Sequence, residues 1–213
     1  MLVIVILDYG AGNLRSVTRA VERAGVQPLV TSSADDLRHA DAVILPGVGA
    51  AADTMANLRL HQLVDPIREY IASGRPFLGV CMGLQALLTG SEERGWHPCL
   101  DVEPGRVKRL PRGLTVPHMG WNQVHRRTEH PVLRDIPDGS NFYFVHSYVC
   151  FPDDQQSIIA TTDYGGDFPS IMGRDNWVAT QFHPEKSGEH GLKLYANFLE
   201  WAGVRAVTAS PAL

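Results

Sequence analysis

The sequence predicts an α/β fold: a mostly parallel central sheet flanked by helices and extended by antiparallel strands. Two observations carry this. The first half alternates short apolar runs with segments of helical periodicity, the pattern of a parallel sheet covered on both faces. The second half changes to short strand-like segments separated by turn residues, the pattern of antiparallel or mixed strands that extend a sheet.

In chain order, Leu2–Asp8 is a continuous apolar run suited to a strand buried on both faces. The Gly-rich turn Tyr9-Gly10-Ala11-Gly12-Asn13 follows. Leu14, Val17, Val21 and Ala24 then recur at helical spacing, and Gly25 supplies the stop. Val26–Val30 and Ala42–Leu45 are the next strands, the latter running into Pro46-Gly47-Val48-Gly49. The chain from Ala50 to Ser73 is expected to be mostly helical, with Gly74 ending it. Phe77–Val80 is a fourth strand and Leu84–Thr89 the start of another helix. Beyond Val102 the strand candidates are Arg106–Leu110, Asn122–His125, Phe142–Val145, Tyr148–Phe151, Ile158–Thr162, Ser170–Gly173 and Trp177–Phe182. Leu192, Tyr195, Phe198 and Leu199 mark a last helix, and a frayed tail is expected over 202–213.

Length and composition limit what such a chain does. Its 213 residues, without repeat or linker, suit one domain over 1–213. Acids number 23 against 19 Lys and Arg, a net charge of −4 that disfavours nucleic-acid binding, and no basic run suits an anionic membrane. The run Leu2–Leu7 is far below the roughly 20 residues a bilayer needs and lacks signal-peptide flanks. Three cysteines are too few and too odd in number for a disulfide framework, which points to a reducing cytoplasm.

One of these cysteines is placed for chemistry. Gly79-Val80-Cys81-Met82-Gly83 falls where a strand ends and a helix begins. A nucleophile there sits on a sharp turn, and the flanking glycines let neighbouring backbone come close. The helix start offers unpaired N–H groups to the sulfur, and the Met82 N–H points toward an oxyanion. The alternative is a packed cysteine in a tight corner. His183 is the candidate proton carrier, in Gln181-Phe182-His183-Pro184-Glu185. Residues two apart on an extended segment project to one side, so Glu185 can hold one imidazole nitrogen while the other faces sulfur. Pro46-Gly47-Val48-Gly49 follows a strand and can present backbone N–H groups to a developing oxyanion, though alone it is also an ordinary turn.

Taken together, these stretches resemble the class I (triad) glutamine amidotransferases, in the family's order and over nearly the whole chain. Within the family, Asp8-Tyr9-Gly10-Ala11-Gly12-Asn13, Pro117-His118-Met119-Gly120-Trp121-Asn122 and Tyr143-Phe144-Val145-His146-Ser147-Tyr148 resemble the branch formed by glutaminase subunits of imidazole glycerol phosphate synthases. Met82 and Leu84 stand where that pattern expects Leu and Met, a volume-conserving exchange. The resemblance implies a flavodoxin-like three-layer fold and hydrolysis of L-glutamine through Cys81, His183 and Glu185. It implies an oxyanion hole at Val48, Gly49 and Met82, and glutamine binding by Gly47, Gln85, His146, Ser147 and Tyr148. It further implies a heterodimer with a (β/α)8 cyclase subunit that receives the ammonia for histidine biosynthesis. Asn13, Met119, Trp121 and Lys186 are expected at that interface. No nucleotide cofactor and no metal are expected. The oxyanion donors are expected to be misoriented until the partner binds its own substrate.

Four rival readings share part of this pattern. A glutaminase serving another synthase would share the triad. The intracellular peptidase and deglycase group usually places His directly after the nucleophile, where Met82 stands. A zinc deaminase needs Pro-Cys-x-x-Cys, and Cys99 is followed by Leu100, Asp101 and Val102. A non-enzymatic binding module would have no need of an intact Cys-His-Glu set.

Overall fold

The computed structural model describes residues 2–204. The first half of the chain runs β1 (Ile4–Leu7), α1 (Leu14–Arg23), β2 (Leu29–Thr31), α2 (Ala34–His39), β3 (Ala42–Gly47), α3 (Ala51–Leu60), α4 (Val64–Ala72), β4 (Phe77–Cys81) and α5 (Met82–Gln85). The second half runs β5 (Leu88–Ser91), β6 (His97–Pro98), β7 (Glu103–Arg109), β8 (His118–Arg126), β9 (Ser140–His146), β10 (Tyr148–Pro152), β11 (Ile158–Asp163), β12 (Asp167–Gly173), β13 (Trp177–Thr180) and α6 (Gly188–Trp201).

Nine strands form one sheet in the order β2-β1-β3-β4-β13-β12-β11-β8-β9. The pairings from β2 to β13 are parallel. Those from β13 to β9 are antiparallel. Alternation along the buried strands builds three layers. Ile4 and Ile6 face a core shared with Val17 and Val21 of α1 and with Leu194 and Phe198 of α6. Val5 and Leu7 face the opposite core, with Leu37 of α2, Met55 of α3 and Ile67 of α4. Each such side chain contributes about 1.5–3 kcal/mol by leaving water.

Several local expectations need correction. The second strand begins at Leu29 rather than Val26. Helix α2 is an element that the apolar pattern missed, although Ser33 caps it by accepting the Asp36 N–H at 3.2 Å. The long helical segment after Ala50 is two helices, broken where Gln62 takes φ 55°. The helix expected from Leu84 stops after one turn. The Ala86 carbonyl accepts from Leu100 N–H at 2.8 Å, and the Leu87 carbonyl from Val102 and Glu103 N–H at 2.9 and 3.0 Å. With those acceptors taken, the chain continues as β5.

That switch creates a second, four-stranded sheet, β10-β7-β5-β6, where all the later strands were expected to extend the first. An ion pair ties it down: Glu103 of β7, fully buried, accepts two hydrogen bonds from the guanidinium of the exposed Arg174 at 2.6 and 2.8 Å. Of the expected tail, Ala202–Val204 closes α6, with Val204 buried and its N–H on the Leu199 carbonyl at 2.8 Å. Residues 205–213 lie outside the described residues. No helix among the described residues is long and apolar enough to cross a membrane.

Candidate active site

Parallel strands β4 and β13 are neighbours, with Thr180 in register with Val80. Their C-terminal ends therefore deliver Cys81 and His183 to the same edge of the sheet. Cys81 adopts φ 55° and ψ −104°, a backbone conformation rare for a residue with a Cβ. Close backbone packing holds it there. A Cβ on Gly79 would meet the Gly83 carbonyl oxygen at 2.8 Å, and one on Gly83 would overlap the Leu45 carbonyl. Gly47 lies beside Cys81 in register and has no room either: its Cβ would fall 2.6 Å from that of Met82. Both glycines flanking the nucleophile thus serve the close approach expected of them.

His183 is buried, and its Nδ1 lies 2.8 Å from Glu185 Oε1, whose side chain is also buried. An extended segment was expected between the two residues. In the structure Pro184–Lys186 is a 3-10 turn, which brings Glu185 back under the ring. The backbone on either side is pinned: His183 N–H donates to the Tyr143 carbonyl at 2.9 Å, and Ser187 Oγ donates to the His183 carbonyl at 2.6 Å. The other ring nitrogen, Nε2, is buried and has no hydrogen-bond acceptor or donor matched to it. Burial alone would lower the imidazole pKa. The Cys81 sulfur and the Glu185 carboxylate outweigh it and raise the value to about 9. A ring that keeps its proton at neutral pH is equipped to donate to a leaving amine.

Both residues line a cleft of about 250 Å3, together with Val48, Gly49, Met82, Gln85 and the 145–148 segment. The expected oxyanion residues and, apart from Gly47, the expected binding residues thus share one cavity with the thiol; Gly47 is packed behind it against Met82. Gly49 has φ 93°, open to glycine and strained for other residues. Gln85 donates to the Tyr148 carbonyl and to Gln181 Oε1, each at 3.0 Å. Gln181 Nε2 lies 3.8 Å from Cys81 Sγ. Gln181 was expected only as part of the histidine run, with no task of its own; its place two residues before His183, just past the end of β13, was the available signal. Glu93 was missed outright. It reaches the cleft from the β5–β6 turn and accepts the Ala51 N–H at 2.9 Å, capping α3. Nothing local in the sequence links Glu93 to Ala51.

The residues expected to face a partner lie on adjoining surface. Met119 and Trp121 are 62% and 56% exposed. Trp121 packs edge-on against Tyr143, ring centroids 6.0 Å apart, and Tyr143 N–H donates to Ser187 Oγ, next to exposed Lys186. Asn13 stands at the start of α1, which packs on the same 3-10 turn, and its side chain makes no capping bond.

The remaining cysteines are different from Cys81. Burial pushes the Cys99 thiol up to about 11 and the Cys150 thiol well above its ordinary value, which leaves both as inert packed groups. Among the described residues, no group of three or more His, Cys, Asp or Glu side chains is arranged to hold a metal ion.

Comparison with known proteins bears directly on this cleft. The family profile "Glutamine amidotransferase class-I" matches residues 5–201. The chain is 51% identical over 203 residues to "Imidazole glycerol phosphate synthase subunit HisH" of Chloroflexus aurantiacus, covering 93% of this chain and 96% of that protein. It is 51% identical over 199 residues to the protein of the same name from Dehalococcoides mccartyi, covering 93% and 97%. Among solved structures it resembles "Crystal structure of glutamine amidotransferase", with TM-score 0.72, 22% identity and coverage of 95% and 100%. It also resembles "Structure of PurLQS from Thermotoga maritima", with TM-score 0.73, 17% identity and coverage of 94% and 98%. The two structures speak to the fold alone.

Proposed function

The chain belongs to the glutamine amidotransferase class-I family, and from that premise we propose that it is the glutaminase subunit of an imidazole glycerol phosphate synthase. It hydrolyses L-glutamine to L-glutamate and ammonia for histidine biosynthesis. Two relatives at 51% identity over more than nine-tenths of the chain support this choice over a glutaminase serving another synthase.

The observation that carries the chemistry is His183, bound to Glu185 through one nitrogen and presenting the other, unpartnered, inside the cleft of Cys81. Cys81 Sγ attacks the side-chain amide carbon of glutamine. The tetrahedral oxyanion is held by backbone N–H groups at Val48–Gly49 and Met82. As the carbon–nitrogen bond breaks, His183 Nε2 gives its proton to the departing ammonia. The same nitrogen then takes a proton from water, whose oxygen displaces sulfur and frees glutamate. Gln85 and the backbone at Gly47 and at His146, Ser147 and Tyr148 hold the amino-acid end. Glu185 keeps its ring partner in one tautomer throughout.

Ammonia in neutral water becomes ammonium, which is no nucleophile, so it passes under cover to a cyclase subunit of (β/α)8 build. The exposed Met119–Trp121 surface, with Asn13 and Lys186, forms the docking face of this cytoplasmic heterodimer. The Val48–Gly49 turn, which follows the packed end of β3, sets the oxyanion donors correctly only once the partner holds its ligand.

A glutamine-analogue electrophile tests the reading. Stoichiometric labelling at Cys81, and its loss together with glutamate release in Cys81→Ala, is the expected result. The variant should keep its fold and lose at least about 10,000-fold in turnover. Labelling elsewhere, or activity surviving the substitution, would sink the assignment. Equal, fast rates with and without liganded cyclase would refute the gating.

A further inference from the structure

Two imidazoles outside the triad form a continuous hydrogen-bonded chain into the cleft, and its direction follows from donor and acceptor chemistry. Asn122 lies on β8 at the edge of the exposed surface. Its Oδ1 accepts the Gln123 N–H at 2.8 Å, so its Nδ2 supplies the two protons, one to the Asp163 carbonyl at 2.9 Å and one to His118 Nε2 at 3.3 Å. His118 Nε2 is then an acceptor, and the ring's proton resides on Nδ1. That nitrogen lies 2.9 Å from His146 Nε2, which must accept. His146 therefore carries its proton on Nδ1, 2.9 Å from the Tyr148 carbonyl, which can only accept.

Beginning at the carbonyl and working outward gives the same assignment. A proton added to either ring would set donor against donor. Burial lowers the pKa of His118, and it pushes that of His146 down to about 3 although the bond to the Tyr148 carbonyl works in the other direction. Both rings are thus neutral at pH 7, as the chain requires.

Packing leaves His118 little freedom to turn. Its ring is buried and stacked against Tyr164, centroids 4.0 Å apart, and against Phe144 at 5.0 Å. The Tyr148 carbonyl at the far end also accepts from Gln85, so one oxygen joins both supports of the cleft wall.

We propose that His118 is a positioning residue for glutamine binding: with His146 it forms a one-directional relay that fixes the Tyr148 carbonyl, and with it the 146–148 wall of the thiol cleft. His118 does not touch glutamine; it acts through its neighbour. This rests on the glutaminase reading above.

The test compares His118→Asn with His118→Leu in the chain together with its cyclase subunit. The Asn amide places a donor near the position of Nδ1; Leu has none. His118→Leu should raise KM for glutamine about tenfold, the effect of roughly one hydrogen bond, with kcat within threefold. His118→Asn should restore KM to within threefold of the parent. Alkylation of Cys81 by iodoacetamide, which carries no amino-acid end, should proceed equally in all three proteins. Labelling by the glutamine-analogue electrophile should slow only in the Leu variant. Equal KM values for both variants would overturn the proposal. So would a loss of iodoacetamide reactivity in parallel with turnover, which marks general damage to the fold. Failure of the analogue to label Cys81 in the parent chain would instead overturn the glutaminase reading itself.

Discussion

On one wall of the cleft, Cys81 and His183 leave adjacent parallel strands, and backbone against backbone fixes them: Gly47, Gly79 and Gly83 have no space for a Cβ. On the facing wall, the 146–148 segment belongs to β9, β10 and the small sheet, and side chains hold it: His146, Gln85 and, further out, the Arg174–Glu103 pair. The difference teaches where tolerance lies. Close backbone packing permits almost no substitution, because a methyl group has nowhere to go. Hydrogen-bonded support yields in graded steps, and the yield should appear in substrate affinity before it appears in chemistry.

Substitutions on the two walls sharpen that contrast. Glu185→Gln should have the largest effect of the four, lowering kcat about 100- to 10,000-fold with a smaller change in KM. It also carries a pH signature. The raised His183 pKa, about 9 against 6.5, contributes stability that is complete below pH 6.5 and lost as pH rises through 9. Urea unfolding of Glu185→Gln should therefore depend less on pH across that window than unfolding of the parent. Arg174→Ala strands a buried carboxylate on the small sheet and should cost about 3 kcal/mol of stability. Its glutamine KM should rise while kcat holds; a fall in kcat with KM unchanged would break the contrast. Gly83→Ala forces β3 and the turn at Cys81 apart, at about 2 kcal/mol, and here kcat should fall. Trp121→Ala should change the stability of the isolated chain by less than about 0.5 kcal/mol, yet weaken cyclase binding by 1 kcal/mol or more in a titration.

The same two walls were unequally legible. The parallel half could be read because each of its determinants is local. Ile4–Leu7 and Phe77–Cys81 are apolar runs ending at glycine-bearing turns, and the nucleophile and its base announce themselves by their immediate neighbours. The small sheet could not. Leu84, Leu87 and Leu88 have helical spacing, and only the acceptance of Leu100, Val102 and Glu103 N–H groups by Ala86 and Leu87 converts that stretch to strand. Pairings across such separations leave no periodic mark. For the same reason His118 was noticed only as part of a family stretch, and its bond to His146 was invisible until the strands were in register. Helix α2 is another kind of miss: Ser33 and Asp36 gave the capping signal, but six residues burying one Leu show almost no amphipathic pattern.

The strand order has one further consequence. Because β4 and β13 touch while the chain between them wanders through an entire second sheet and four antiparallel strands, the reactive edge is closed by a return visit rather than by continuous sequence. The excursion also returns to that seam, since β12 pairs with β13 and Tyr143 of β9 accepts the His183 N–H, so the base is seated partly by chain that follows the thiol.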